Sequence, residues 1–296
     1  KNKKKIKSKR EIKIQVFYYR SDCVLRYLKL GVNNNYYSIV ESNALKFIYL
    51  LNEPMHIHLA LTNRKDQMRI MWVSGSNIKS PCVHYGRSRN YNKITCGVTT
   101  TYKSTDMCEP PASTDGYIDP GYIHDVVLSK LLPDTTYYYS VGSNKSFSDS
   151  NSFKTRKSFS CNNFPISIVA FGDLSTGKPT GPYQTIDSID RLRWNKYSPD
   201  LILHIGDISY ARGKGYVWDE FGFMIQKVAA YIPYMVSIGN HEHLYKNGQD
   251  KDPSKEKQNF IPSANLHYNS GGECSVPMVK RFKMPDNGNG LFWYLV

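Results

Sequence analysis

Two patterns of hydrophobic and polar positions divide the chain. Between residues 54 and 157, short runs rich in β-branched and aromatic residues alternate with polar turns, as at 67–73 (QMRIMWV) and 135–141 (TTYYYSV). A Pro-Asp pair, which favours a turn, separates the run at 135–141 from the one at 124–132. Short strands at this spacing are typical of a small β-sandwich.

The second half of the chain has a different pattern. Nearly continuous apolar runs stand at 166–171 (ISIVAF), 201–205 (LILHI) and 234–238 (YMVSI), and such runs predict strands buried on both faces. The segments between them, 183–197 and 218–231, repeat apolar residues at helical spacing. Strands that alternate with helices predict a βαβ arrangement.

We therefore predict an all-β sandwich followed by an α/β domain. The sandwich is assigned to residues 54–157 and the α/β domain to residues 163–296, with a serine-rich linker at 146–160. Residues 1–53 combine a basic tail with a segment of unassigned structure. The chain is 40% hydrophobic but has no apolar run of about 18 residues, so no membrane span is expected.

The net charge of +14 is concentrated at the N-terminus. Residues 1–13 contain eight basic residues and one acid, Glu11, and so carry half of that charge. Basic terminal runs are usually solvated tails, and no helix-turn-helix, zinc-finger or RNP-type motif accompanies this one. We therefore expect no nucleic-acid partner.

Six cysteines permit disulfides, but their spacing does not give the connectivity. They are Cys23, Cys82, Cys96, Cys108, Cys161 and Cys274. Asn144 begins an Asn-Lys-Ser triplet, which is an acceptor for N-glycosylation in secreted proteins. Because residue 1 is Lys rather than Met, we expect the chain to begin inside a longer precursor, so the lack of a signal peptide is uninformative.

Each apolar run of the second half ends in glycine followed by a polar residue. The three ends are Gly172-Asp173, Gly206-Asp207 and Gly239-Asn240-His241-Glu242. Asp173 and Asp207 are 34 residues apart, and Asp207 and Asn240 are 33 apart, about one βαβ unit each. Because ligands gather at the carboxyl ends of parallel strands, we expect these side chains to meet. Clustered oxygen donors indicate a hard or borderline metal, whereas a single aspartate could instead cap a helix.

These strand ends resemble the motifs of a known superfamily. The stretches 203–212 (LHIGDISYAR) and 239–242 (GNHE) are similar to the second and third blocks of the metallophosphoesterases, and Tyr210 narrows the resemblance to the purple acid phosphatase family. Further matches stand at 119–124 (DPGYIH), 271–277 (GGECSVP) and 292–294 (FWY). Together they resemble the long plant-type members, which implies a fibronectin-III-like sandwich before a metallophosphoesterase domain.

The resemblance implies a dinuclear metal site. Asp173 would bind Fe(III), Asp207 would bridge two metals, and Tyr210 would bind Fe(III) as a phenolate, which gives the family its colour. Asn240 would bind the second metal, which is Fe, Zn or Mn. His241 would not be a ligand; with Asn240 it would contact the phosphate, and it would assist the leaving group.

The implied activity is that of an acid phosphatase. Its substrates would be small phosphate monoesters or diesters, and a hydroxide held by the metals would be the nucleophile. The resemblance further implies a protein that is secreted, endolysosomal or vacuolar, and it allows a homodimer.

This sequence also departs from the family pattern. The family takes three further histidines from the motifs Val-x-x-His and Gly-His-x-His, but no histidine here lies beyond His267. We therefore expect a C-terminally truncated chain that, in this form, binds metal poorly and is inactive. In the first block, Ser175 stands where the family has glycine, so the local turn is expected to differ.

Two other functions remain as alternatives. Ser/Thr protein phosphatases share Gly-Asn-His-Glu, but they require Asp-Arg-Gly where this chain has Tyr210-Ala211-Arg212. The other alternative is a non-catalytic binding protein derived from a phosphatase, which the missing histidines favour.

Several side chains outside the motifs are given structural roles. We expect His56 and His58 on a solvated face of a strand, and His204 in the core with its hydrogen bonds satisfied. Trp218 and Asp219 are expected to pack against and cap the following helix. For Arg212 the sequence leaves attraction of phosphate and a surface role equally open.

Overall fold

The computed structural model describes most of the chain. The described residues are 24–32, 34–45, 50–143, 146–157, 165–177, 181–195, 198–255, 269–286 and 288–295. The basic tail, the glycosylation acceptor Asn144 and the cysteines Cys23 and Cys161 lie outside these ranges.

The chain begins with an exposed antiparallel hairpin. It consists of β1 (Arg26–Leu30) and β2 (Tyr36–Glu41), and every residue of both strands is exposed.

Two antiparallel sheets then form the sandwich, which confirms the all-β assignment. One sheet has the order β3-β4-β8-β7, and the other has the order β10-β9-β5-β6 with β11 also paired to β9. The strands are β3 (Met55–Ala60), β4 (Met68–Ser74), β5 (Cys82–Gly86), β6 (Lys93–Cys96), β7 (Val98–Thr100), β8 (Tyr122–Leu128), β9 (Thr136–Ser143), β10 (Ser146–Phe147) and β11 (Asn151–Lys154). Their inward side chains, among them Trp72, Tyr137 and Phe153, are almost completely buried.

The structure confirms the turn at Pro133-Asp134 and corrects the expected linker. β8 and β9 belong to different sheets, so the Pro-Asp turn carries the chain from one sheet to the other. The expected linker at 146–160 is wrong in its first part, because β10 and β11 both pair with β9. Its serines are tolerated there because β11 packs only Phe153 into the core.

A parallel sheet with helices follows, as the βαβ pattern predicts. Its order is β12-β13-β14, and all pairs are parallel. The elements are β12 (Ile168–Phe171), α1 (Gly181–Arg193), β13 (Leu201–Ile205), α2 (Gly215–Ala229), β14 (Tyr234–Ser237), the single-turn α3 (Asn240–His243) and α4 (Val276–Arg281). No helix among the described residues combines the length and the apolar character needed to cross a membrane.

The predicted burial on both faces holds for β14, whose residues Tyr234, Met235 and Val236 are fully buried, but not for β12 or the end of β13. α2 covers the face that carries Phe171, His204 and Tyr234, and the His204 ring lies 6.0 Å from that of Phe221 in the helix. Strand residues alternate between faces. On the opposite face Ile168 and Ile205 remain 49% and 65% exposed, because the helix reaches only one side.

The sandwich and the parallel sheet share one continuous apolar core. α2 lies across β3, where Gln226 Oε1 accepts a hydrogen bond from the amide of Ile57 (2.9 Å). The Tyr139 hydroxyl of the sandwich donates to the carbonyl of Ala230 just after α2 (2.6 Å). The described parts of the two domains are therefore joined by side-chain packing as well as by the chain.

This contact explains why the expected exposure of His56 and His58 is wrong. Both are at least 95% buried, because α2 covers the strand that carries them. A β-carbon added to Gly222 of α2 would lie 2.6 Å from Cγ of His56, so the helix approaches closely. Burial lowers the pKa of His58 to about 4.

Two disulfides lie within the described residues. Cys82–Cys96 links neighbouring strands of the sandwich, and Cys108–Cys274 links the sandwich to the segment before α4.

Candidate functional site

The three strand ends bring their polar side chains to one edge of the parallel sheet. The Tyr210 hydroxyl donates hydrogen bonds to the carboxylates of Asp173 and of Asp207, the latter at 3.4 Å. The amide of His241 donates to the other oxygen of Asp207 (3.0 Å). Asn240 is the first residue of α3, directly beside this cluster. The sequence-predicted residues are thus neighbours, and their roles remain predictions.

The backbone of the cluster is unusual. Asp173, Asp207 and Tyr210 all have left-handed φ angles, of 56°, 48° and 54°. Such angles cost about 1–3 kcal/mol each in residues other than glycine and are common at functional sites. Ser175, with φ 64°, keeps the left-handed geometry that its family's glycine would favour, and its amide donates to Ile208 O (2.9 Å). Whether this turn differs from that of the family stays a prediction.

Close packing forces the residue before Asn240 to be glycine. A β-carbon on Gly239 would lie 2.1 Å from Asp207 Oδ1 and 2.2 Å from Asp207 N. Both atoms belong to the loop after β13. Because Gly239 has no side chain, the loop after β14 can contact that loop directly.

Glu242 joins the same two loops and received no role from the sequence. Its carboxylate accepts hydrogen bonds from the amides of Ile208 (2.8 Å) and Gly239 (3.1 Å). Burial raises the pKa of Glu242 to about 7, against the lowering effect of these hydrogen bonds. The position of Glu242 directly after Asn240-His241 is a signal that the sequence offers. Only the fold shows which amides donate hydrogen bonds to its carboxylate.

His241 has the properties of a ligand-binding residue. It is 6% exposed, and its ring lies 4.3 Å from the Tyr210 ring. Its Nδ1 is buried without a hydrogen-bond partner among the described residues. Buried polar atoms normally have partners, so this nitrogen is available to a ligand.

Two neighbours complete the surroundings of the cluster. The Arg212 guanidinium carbon lies 5.6 Å from the centre of the Tyr210 ring, and no described acid forms an ion pair with it. His243 ends α3, and its Nδ1 shares a hydrogen bond with Ser275 Oγ (3.0 Å).

The oxygen donors fit one hard cation better than two. Asp173, Asp207 and Tyr210 form one hydrogen-bonded group, in which a cation would take the place of the phenol proton. Burial and then the bond to Asp173 raise the pKa of Tyr210 well above its usual value, so a strongly charged cation is needed to displace that proton. Among the described residues, a second cation would find only Asp207 and Asn240 of the predicted ligands. Over the described ranges no cluster of three or more His, Cys, Asp or Glu is placed to hold a metal.

His204 lies in the core, as expected, but its hydrogen bonds are only partly satisfied, because Nε2 is buried with no partner among the described residues. It is fully buried, and its Nδ1 shares a hydrogen bond with the Tyr234 hydroxyl (2.8 Å). Burial lowers its pKa to about 3, which keeps the ring neutral.

The expected roles of Trp218 and Asp219 are half right. Trp218 packs in the core at 1% exposure, and its indole nitrogen donates to Glu273 (3.0 Å). Asp219 does not cap α2, because it lies inside the helix and pairs with Arg281 (3.4 Å).

A pH dependence of stability follows from Glu273, which is buried behind the site. Burial raises its pKa to about 8, above the ordinary 4.5. A carboxyl with a raised pKa stabilises the fold while it stays protonated, so this stability is lost as the pH rises toward 8. We expect the free energy of unfolding to fall by about 3 kcal/mol from pH 5 to pH 8 through this residue.

Urea unfolding at both pH values measures the effect. Glu273→Gln keeps an acceptor for Trp218 and should remove the part of the decrease that comes from Glu273, whereas the part that comes from Glu242, whose pKa is raised to about 7, should remain. The exposed Glu41→Gln variant should retain it. An equal decrease in Glu273→Gln and the parent chain would contradict the assignment.

Comparisons with known proteins agree with this geometry. Residues 54–155 match the family described as Purple acid Phosphatase, N-terminal domain, and residues 166–290 match Calcineurin-like phosphoesterase. "Probable inactive purple acid phosphatase 9" of Arabidopsis thaliana is 34% identical over 84% of this chain and 39% of that protein. "Probable inactive purple acid phosphatase 1" of the same plant is 31% identical over 96% of this chain and 46% of that protein.

A solved structure is similar as well. The purple acid phosphatase PPD1 from yellow lupin (Lupinus luteus) seeds superposes with a TM-score of 0.75 at 29% identity, over 93% of this chain and 48% of that one. The chain thus spans less than half the length of these relatives.

Proposed function

The chain belongs to the purple acid phosphatase family, and from this premise we propose that it supplies the phosphate-ester site of an acid phosphatase acting on phosphate monoesters or diesters. One observation carries the proposal: the Tyr210 phenol lies between the carboxylates of Asp173 and Asp207, with the His241 ring 4.3 Å from the Tyr210 ring and tilted by 38° to it.

We assign each residue of the cluster a role in binding metal or phosphate. Asp173, Asp207 and Tyr210 would hold Fe(III), and Asp207 with Asn240 would contribute to a divalent metal, Fe, Zn or Mn. Bound metals would supply the positive charge that neutralises a phosphate ester and holds it for in-line displacement. His241 binds a phosphate oxygen and donates a proton to the leaving group, since its ring has a free nitrogen in this site.

A second candidate function is binding without hydrolysis. The described residues offer few metal ligands, and two of the similar Arabidopsis proteins carry "Probable inactive" in their names. In that function the site would retain a phosphate ester through His241 and Arg212 without cleaving it.

The cellular compartment and the partners of the protein are also proposals. We infer a secreted, endolysosomal or vacuolar protein with small phosphate esters as partners. Two disulfides among the described residues support an oxidising compartment. Glycosylation at Asn144 would fit the same compartment.

Two substitutions test the proposed function. After incubation with Fe(III), the chain should show a visible phenolate-to-iron absorption band, which Tyr210→Phe should abolish because only the phenolate donor is lost. In a form of the protein that carries the family's three later histidines, His241→Ala should lower hydrolysis of a phosphate monoester by about 10²–10⁴-fold, the usual contribution of a general acid.

The controls are residues of the same type away from the cluster. Tyr216→Phe, at an exposed tyrosine of α2, should keep the band, and His84→Ala, in the sandwich, should keep the activity. Phosphate-ester binding without hydrolysis would favour the second candidate. Neither binding nor hydrolysis of a phosphate ester in the metal-loaded form that carries the three later histidines would overturn both.

A further inference from the structure

We propose that residues 269–276, called here the bracing segment, position α3 in the candidate site, and that the Cys108–Cys274 disulfide anchors this segment to the sandwich. The sandwich would then be part of the scaffold that holds Asn240 and His241 in place. The inference deepens the proposed function and rests on it only for the identity of the site.

The first step is the contact between the bracing segment and α3. The amide of Ser275 donates to the carbonyl of Glu242 (2.7 Å), and the amide of Ser270 donates to the carbonyl of Leu244 (2.8 Å). The Ser275 hydroxyl also shares a hydrogen bond with His243. These carbonyls lie at the end of the helix, where they have no partners within the helix itself.

The second step is that α3 cannot hold its position alone. It contains four residues, a single turn, and isolated helices shorter than about 12 residues are marginal in water. Its N-terminal side is held by Glu242, which accepts from the amides of Ile208 and Gly239. On the C-terminal side the bracing segment supplies hydrogen bonds, beside a ring contact of His243 with Phe292 and the hydrogen bond from the Lys246 amide to Glu109.

The third step is the attachment of the bracing segment to the sandwich. The amides of Cys108 and Ala112 donate to the carbonyls of Gly272 and Gly271, both at 3.0 Å. Cys274 forms the disulfide to Cys108 and is fully buried. The attachment is therefore both covalent and hydrogen-bonded.

The fourth step is contact with the loop that carries Tyr210. A β-carbon on Gly271 would lie 2.2 Å from the carbonyl carbon of Arg212, and one on Gly272 would lie 2.0 Å from the carbonyl oxygen of Glu109. The two glycines fit the segment tightly between the loop after β13 and the sandwich. The bracing segment thus touches the sandwich, the Tyr210 loop and α3 at once.

Amide hydrogen exchange tests the inference in the chain without metal or phosphate ester. We compare the double variant Cys108→Ser/Cys274→Ser with Cys82→Ser/Cys96→Ser, which removes the disulfide inside the sandwich. Loss of Cys108–Cys274 should speed exchange across residues 239–245 by about tenfold, because local opening becomes easier. The control should change exchange there by less than about twofold.

A spectroscopic measurement separates positioning from a general loss of stability. The Tyr210 ring lies 4.3 Å from the His241 ring, so its ring current should shift the His241 ring-proton signals, which then report the geometry of the site. They should move toward the positions of an unstructured histidine in Cys108→Ser/Cys274→Ser and stay unchanged in the control.

Ser275→Ala gives an independent test if the double variant does not fold. It removes one hydroxyl contact to His243 and should speed exchange at 239–245 by about two- to fivefold. Unchanged exchange and His241 signals, or equal changes in both disulfide variants, would overturn the inference. Because no metal or substrate is present, these results do not depend on whether the chain hydrolyses phosphate esters.

Discussion

Replacing Gly239 with alanine should disrupt the candidate site more than any other single-methyl change. The new β-carbon would lie 2.1 Å from Asp207 Oδ1 and 2.2 Å from Asp207 N. The backbone nitrogen cannot rotate away as the end of a flexible side chain could, so the loops after β13 and β14 must separate. We expect a loss of at least about 3 kcal/mol in the free energy of unfolding, the upper end for overpacking.

The same substitution should weaken metal binding. Asp207 is held between Gly239 and the amide of His241, and displacing it changes the orientation of a proposed ligand. Changes beside a ligand typically cost about 10–100-fold in metal affinity. Urea unfolding and calorimetric titration with Fe(III) or Mn²⁺ measure the two effects.

Gly181→Ala is the matched control for Gly239→Ala. No atom lies within 4 Å of a β-carbon built on Gly181, at the start of α1. Its stability should change by less than about 1 kcal/mol, since alanine favours a helix. Parent-like stability and metal affinity in Gly239→Ala would show that the two loops do not touch.

Trp218→Ala should give the second large effect, on the core behind the site. Trp218 is 1% exposed, packs edge-on to Phe221 and donates to Glu273. Truncation of a buried tryptophan costs about 3–5 kcal/mol, and the lost partner of a buried carboxyl adds about 1–3 kcal/mol. Against a typical total of about 5–15 kcal/mol, the variant should be close to unfolded at 37 °C.

Thermal unfolding followed by circular dichroism tests this expectation. Trp218→Phe keeps most of the volume and loses only the indole donor, so it should cost about 1–3 kcal/mol. Trp194→Ala, at a tryptophan that is 76% exposed and stacked with Arg193, should cost less than about 1 kcal/mol. Similar melting temperatures for the two alanine variants would contradict the packing described.

The elements that sequence predicts well are those whose signals are local. The run at 201–205 coincides with β13, because a short apolar stretch bounded by polar residues leaves little choice of ends. The approach of Asp173 to Asp207 follows from equal spacing and from the rule that parallel strands end at one edge. Tyr210 joins them because it follows Asp207 by only three positions in a tight loop.

The elements that sequence misses depend on distant partners. His56 is buried by Gly222 of α2, far along the chain, and no pattern around the histidine contains that information. The role of Glu242 depends on the amide of Ile208, which belongs to another loop. The disulfide partner of Cys108 was likewise open, because six cysteines allow many pairings.

The shared core of the sandwich and α2 has a consequence for biosynthesis. The amide of Ile57 finds its acceptor on Gln226, 169 residues later, and Tyr139 donates to a carbonyl 91 residues later. At about 5–20 residues per second, a ribosome takes about 10–30 s to make the longer stretch. During that interval the face of β3 that α2 later covers is exposed to solvent. We therefore expect the nascent chain to bind chaperones that shield apolar surface.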